Sequence, residues 1–217
     1  PMNAAEFEAR SQRLSDGDDQ AGRPEAGITH AIYTARLDRD FRLTGSGAWH
    51  IKLAGKQPAL LPLTGFGLAL WEPRWAPLDG SSSFTPANVG ATDHDIALYA
   101  DRSGRLVFDW SLAGSQDRAR QWSYVLALPP CGSQRIELTL PANLKPTLEG
   151  ATISAAESLD DGSRRWSIDL IGREKSILRL SDNSEPKGTQ PSAIWRPRVT
   201  YELSSRGLQL SAEWQID

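Results

Sequence analysis

Between residues 41 and 53 the chain alternates by parity. Phe41, Leu43, Gly45, Gly47, Trp49, Ile51 and Leu53 fall on one phase, and Arg42, Thr44, Ser46, His50 and Lys52 on the other. A period of two puts the two sets on opposite faces of a pleated strand, whereas a helix would scatter them around its axis. The chain is therefore expected to build sheets that are packed on one face and wet on the other.

The pattern recurs at Leu106–Leu112, Trp122–Leu128, Ile136–Leu140, Trp166–Leu170, Ile177–Leu180, Val199–Leu203 and Leu208–Ile216. Turn formers separate these runs: Asp38-Arg39-Asp40, Asp101 to Gly104, Pro129-Pro130-Cys131-Gly132, Asp160 to Ser163, Gly172 to Lys175 and Ser204 to Gly207. Roughly a dozen strands at hairpin spacing, with no helices between them, predict an all-β fold of antiparallel β-sandwich architecture. The spacing allows one large or two consecutive small sandwiches. The break would fall near Pro141–Pro146, dividing a first β-sandwich at 28–143 from a second β-rich domain, or a continuation of the sandwich, at 144–217. The paired glycines Gly45 and Gly47 predict a bend in their strand. Residues 3–14 read as a short N-terminal helix, capped by Asn3 with Glu6 at the capping-box position. A polar linker follows to residue 27.

Composition excludes several classes of function. A net charge of −3 and a pI near 5.7 offer no field for a phosphate backbone, so nucleic acid is not an expected partner. The longest greasy stretch, Leu60 to Trp71, is broken by Pro62, Thr64 and two glycines. It falls short of the ~20 apolar residues that a spanning helix needs, so no direct membrane span is expected. The lone cysteine, Cys131, excludes an internal disulfide. Pro1-Met2-Asn3 lacks the basic and apolar regions of a signal peptide, and a proline ahead of methionine reads as the remnant of a cleaved tag.

Candidate chemistry is sparse. Asp93-His94-Asp95 is the densest set of metal donors, but adjacent strand residues point to opposite faces, and the three read better as a polar loop. His30 and His50 lie on neighbouring strands; counting out from a turn at Arg39 sets His30 near Ala48, which makes both solvent-side residues. Ser81-Ser82-Ser83 has no nucleophile elbow, and Asp160-Asp161 sits in a turn, where aspartate bonds backbone. Cys131, between Pro-Pro and Gly, lacks a base to activate it. Gly65-Phe66-Gly67 lacks the following helix that a nucleotide loop requires. No catalytic residue, cofactor or metal is expected.

The tryptophans divide into two groups. Trp49, Trp110, Trp122, Trp166 and Trp214 run in phase with core Leu and Ile. Trp71 and Trp75, in an irregular Pro-containing segment, and Trp195 are the candidate contacts for a ligand or partner, because an exposed indole stacks well on a sugar ring.

Three stretches form a recognisable set: Ala31-Ile32-Tyr33-Thr34-Ala35-Arg36-Leu37-Asp38, the run from Leu126 through Cys131 into Ile136–Pro141, and Tyr201 to Leu208. With Trp166-Ser167-Ile168-Asp169-Leu170-Ile171-Gly172 between them, residues 28–217 resemble the amino-terminal β-rich region of very large envelope-associated proteins of planctomycete bacteria. Ile171-Gly172 stands where those proteins usually show paired glycines. The resemblance implies a larger parent chain in the cell envelope, periplasmic or outer-membrane associated, and transfers no active site. The expected function is a non-enzymatic scaffold or protein-interaction module whose partners are other segments of the parent or envelope proteins. The alternative is a carbohydrate-binding module using exposed tryptophans.

Overall fold

The computed structural model describes residues 25–77, 83–91, 96–116, 121–170 and 175–182, the strand backbones of 195–204 and 207–216, and the isolated positions Glu6 and Ala9. Glu6 and Ala9 are helical; the rest of the expected 3–14 helix lies outside the described residues. The chain divides into two units, Pro1–Asn183 and Ser184–Asp217.

In the first unit, nearly every residue between turns is strand, as the alternation requires. The founding hairpin joins β1 (Ala26–Leu37) to β2 (Arg42–Leu53). Asp38 closes its loop: one carboxylate oxygen accepts from the amides of Asp40 (2.9 Å) and Arg42 (2.8 Å), and its own amide donates to the Arg42 carbonyl. The turn thereby takes in Phe41, which enters the left-handed region at φ 55°. Few non-glycine residues sit there. The position is held from outside the hairpin: the Phe41 ring stacks on Trp122 with centroids 4.5 Å apart, and the Tyr124 hydroxyl donates to the Phe41 carbonyl at 2.9 Å.

The turn is centred on Asp40, one residue beyond Arg39, which moves every partner by two and corrects the expected register. His30 lies opposite His50, not Ala48, and a bulge between Ile28 and His30 resets the phase beyond.

Next come β3 (Ala59–Pro62), β4 (Ala69–Trp75), β5 (Thr85–Pro86), β6 (Asn88–Ala91), β7 (Ile96–Ala100), β8 (Gly104–Ala113), β9 (Ser115–Gln116) and β10 (Trp122–Ala127). They are followed by β11 (Cys131–Pro141), β12 (Leu144–Leu148), β13 (Ala151–Ile153), β14 (Glu157–Ser158), β15 (Ser163–Leu170) and β16 (Lys175–Asp182). One large sheet runs β13-β15-β11-β1-β2-β8-β4-β5, with β14 also on β15. Two smaller sheets run β12-β16-β10-β9 and β3-β7-β6. All pairs are antiparallel except β1 with β11.

Several expected hairpins are instead changes of layer. β10 and β11 flank Pro129-Pro130 but belong to different sheets; prolines cannot donate to a ladder, and β11 enters the large sheet beside β1 in parallel. The chain also changes sheet between β7 and β8, β11 and β12, and β15 and β16. One continuous core results. Tyr33, Trp49, Phe108, Trp110, Leu138 and Ile168 of the large sheet, Tyr124, Leu126 and Leu178 of one small sheet, and Leu61 and Leu98 of the other belong to a single buried cluster. The first unit is therefore one layered sandwich. Beyond Pro141–Pro146, β15 pairs along β11 from Gln134 to Pro141, and its Ile168 lies in the same buried cluster.

The second unit carries a hairpin of β17 (Trp195–Ser204) and β18 (Gly207–Ile216), paired from Trp195↔Ile216 to Ser204↔Gly207 as the sequence predicts.

Candidate functional site

The large sheet has one face in the core and one open face, and strand register sorts the open face into rows. One row crosses six strands: Trp71 on β4 opposite Asp109 on β8, then Ser46 on β2, Thr34 on β1, Glu137 on β11 and Ser167 on β15. The next row carries Ala69, Ser111, Thr44, Arg36, Thr139 and Arg165. On the other side runs a row with Arg74, Val107, Ala48, Ile32, Arg135 and Asp169. At ~4.8 Å between strands, six strands span about 24 Å.

The first two rows sink into a trough of about 1260 Å³, walled at one end by Trp71 and at the other by Arg165 and the Asp161–Ser163 turn. Gly45 permits a close approach of β2 to β1 beneath it: a Cβ there would run into the Thr34 carbonyl of β1. Where the two backbones close up, the Thr34 hydroxyl takes over part of the ladder. It accepts from the Ser46 amide at 3.2 Å, donates to the Ser46 carbonyl at 3.2 Å, and lies 2.8 Å from the Ser46 hydroxyl. The register of β2 on β8 runs without a shift through Gly45 and Gly47, so the paired glycines serve close approaches and not a bulge.

Charges on this face are mostly paired across strands. Arg135 donates to Asp169 at 2.8 Å, and this contact holds its guanidinium above the usual range. Arg74 lies 3.7 Å from Asp109 and 3.8 Å from Glu72, and Arg165 lies 3.8 Å from Glu157. Asp161 is tied to the Ser163 hydroxyl and amide, which lower its pKa; it acts as a turn brace, as its position in the sequence implied.

A β-bulge decides the fate of the two candidate tryptophans on β4. In an unbroken strand Trp71 and Trp75 would share a face. Here Trp71 pairs with Asp109 and Arg74 with Val107, so three residues of β4 match two of β8, and Glu72 takes φ 49° in between. The extra residue turns Trp75 inward opposite Leu106, where it is 2% exposed, while Trp71 stays 43% exposed at the rim of the trough. The expectation of a surface role for Trp75 is corrected: it is core. Trp71 keeps its place as a candidate contact. Trp195 falls in β17, whose strand position is described. Among the five tryptophans assigned to the core, Trp49 and Trp110 are fully buried and Trp122 and Trp166 pack partly buried against it. Trp214 lies in β18.

The remaining candidates do not converge. His30 and His50 face each other with ring centroids 6.1 Å apart, yet among the described residues no group of three metal-ligating side chains forms. Burial raises the Cys131 thiol pKa, the reverse of what a nucleophile needs. Asp93-His94-Asp95 and Ser81-Ser82 lie outside the described residues. Sequence reasoning missed the trough itself. The signal was there as Thr34, Thr44, Ser46, Ser111 and Thr139 on the polar parity of four strands, but which strands are neighbours is not a local property.

No family model matches the chain, and no curated protein matches it. Among solved structures, the M1 zinc metallopeptidase of Deinococcus radiodurans, in a mutant form bound to a Tyr-Ser-Ala substrate, aligns with 88% of this chain and 47% of its own. The identity is 12% and the TM-score 0.48. Yeast LTA4 hydrolase aligns with 83% of this chain and 34% of its own, at 11% identity and a TM-score of 0.46. The chain spans less than half the length of either protein, and no activity is carried over from them.

Proposed function

We propose that this β-rich chain is a non-enzymatic interaction module of a larger envelope-associated protein and works through the open face of its large sheet. The observation that carries the reading is the shape of that face: a trough six strands wide, braced by cross-strand ion pairs, with Ile32 at its flank 44% exposed. A broad face with braced charges and an exposed apolar side chain at its flank suits recognition of another protein segment. The dispersal of Cys131, the His30–His50 pair and Asp161 supports a module without catalysis. The envelope setting rests on the sequence resemblance.

A photo-crosslinking residue placed at Ile32 of the parent protein in cells tests this, with the same residue at Thr147 on the small sheet as the comparison. Capture of a defined protein at 32 and not at 147 is expected. Equal capture at both positions, or none at 32, refutes it.

A second reading, carbohydrate binding, is favoured by Trp71 alone, which stands exposed at the end of a hydroxyl-lined row. Glycan binding that Trp71→Ala abolishes would place this reading ahead of the first.

A further inference from the structure

We infer that the row Trp71–Asp109–Ser46–Thr34–Glu137 is a subsite array for an extended neutral oligosaccharide lying across the strands, an assignment that rests on the carbohydrate reading above.

The chemistry of the row selects this ligand. A pyranose has an apolar face of axial C–H groups and a rim of hydroxyls that both donate and accept. The exposed indole of Trp71 offers a flat apolar platform for the first. Beyond it, Ser46 presents a hydroxyl of the same dual character, the Thr34 oxygen, whose proton is held by Ser46, keeps a lone pair that accepts, and Asp109 and Glu137 present carboxylates that accept from paired sugar hydroxyls. Asp109 is held in place by Arg74 at 3.7 Å.

Length and charge narrow the choice further. The row steps ~4.8 Å at each strand, so from β4 to β11 it extends about 19 Å, the reach of an oligosaccharide and not of a single sugar. Asp109, Glu137 and Asp161 outnumber Arg36 and Arg165 within the lining, which leaves no excess positive charge to draw an acidic sugar or a phosphate. Most of the lining side chains are short, so little rotamer freedom is lost on binding.

Titration calorimetry of the full chain with cellohexaose, mannohexaose, laminarihexaose and hexagalacturonate tests the assignment. At least one neutral hexasaccharide is expected to bind, and its trisaccharide more weakly. Trp71→Ala should weaken binding about tenfold or more, Trp71→Phe less, and Thr34→Val severalfold, while Val125→Ala on the small sheet should leave it unchanged. Trp71 is exposed, so its variants are expected to keep the parent's circular dichroism. Neutral-sugar binding that survives both Trp71→Ala and Thr34→Val overturns the trough but leaves the carbohydrate reading standing. Failure of every neutral probe overturns both. Preference for hexagalacturonate overturns the assignment of a neutral ligand.

Discussion

Tyr33→Phe removes one oxygen from the centre of the core, and its cost can be worked from the packing. The Trp49 indole N–H donates to the Tyr33 hydroxyl at 2.9 Å, with Trp49 0% and Tyr33 1% exposed. Tyr33 also meets Phe108 and Trp110 edge to face at 6.3 Å, contacts that a phenyl ring retains. What the substitution leaves is a buried indole N–H without its acceptor, a penalty of about 1–3 kcal/mol. For a unit of this size each kcal/mol lowers the Tm by roughly 2–4 °C, so a fall of about 2–12 °C is expected. Trp49→Phe should cost more, because it also removes indole volume packed 4.5 Å from Phe108. The double variant should cost less than the sum of the two, with a coupling of about 1 kcal/mol, since the second change removes a group the first had already stranded. Urea unfolding followed by tryptophan emission and circular dichroism measures all three. Additive costs, or a Tyr33→Phe variant as stable as the parent, would refute the account of this bond as part of what holds the core.

Further expectations follow from the same structure. Trp75→Ala should destabilise by about 3–5 kcal/mol and Trp71→Ala by no more than about 0.5 kcal/mol; similar costs in urea unfolding would contradict the bulge that separates them. Burial raises the pKa of Tyr33, and it pushes that of Tyr124 up to about 12, so both stay neutral in the fold when the unfolded chain would ionise. Their stabilisation is complete below pH ~10 and is lost as pH rises from ~10 toward the folded values, by up to about 1.4 kcal/mol per pH unit for each tyrosine; a flat alkaline limb between pH 10 and 12 would exclude it. Gly45→Ala sets a methyl against the Thr34 backbone, and Gly47→Ala sets one against the Phe108 ring. The first should cost more, because a ring can shift where a paired strand cannot, and the reverse order in thermal melts would count against the close approach at Gly45. Thiol alkylation of Cys131 at pH 8 should run slower than that of a free model thiol, given its raised pKa; a faster rate would contradict the burial.

The part of this protein that is local was legible in the chain. Alternation at Leu43–Leu53, Leu106–Leu112 and Ile136–Leu140 named the strands and the buried parity, because a side chain's face on a strand depends only on its count along that strand. Trp49 and Trp110 were assigned to the core for that reason, and they lie there. A one-residue change defeats the count. A turn centred on Asp40 instead of Arg39 moved the partner of His30 from Ala48 to His50, and the bulge after Trp71 sent Trp75 into the core.

Pairing was decided only in three dimensions. Pro129-Pro130 interrupts a ladder but does not say which sheet β11 joins, and nothing in β1 foretells a parallel neighbour drawn from a hundred residues downstream. Those choices depend on which arrangement buries Tyr33, Phe108, Tyr124 and Leu178 together in one core, a sum over distant residues. The trough has the same origin. Its hydroxyls come from β1, β2, β11 and β15, each an ordinary polar position on its own strand, and they become a surface only when tertiary packing sets those strands side by side.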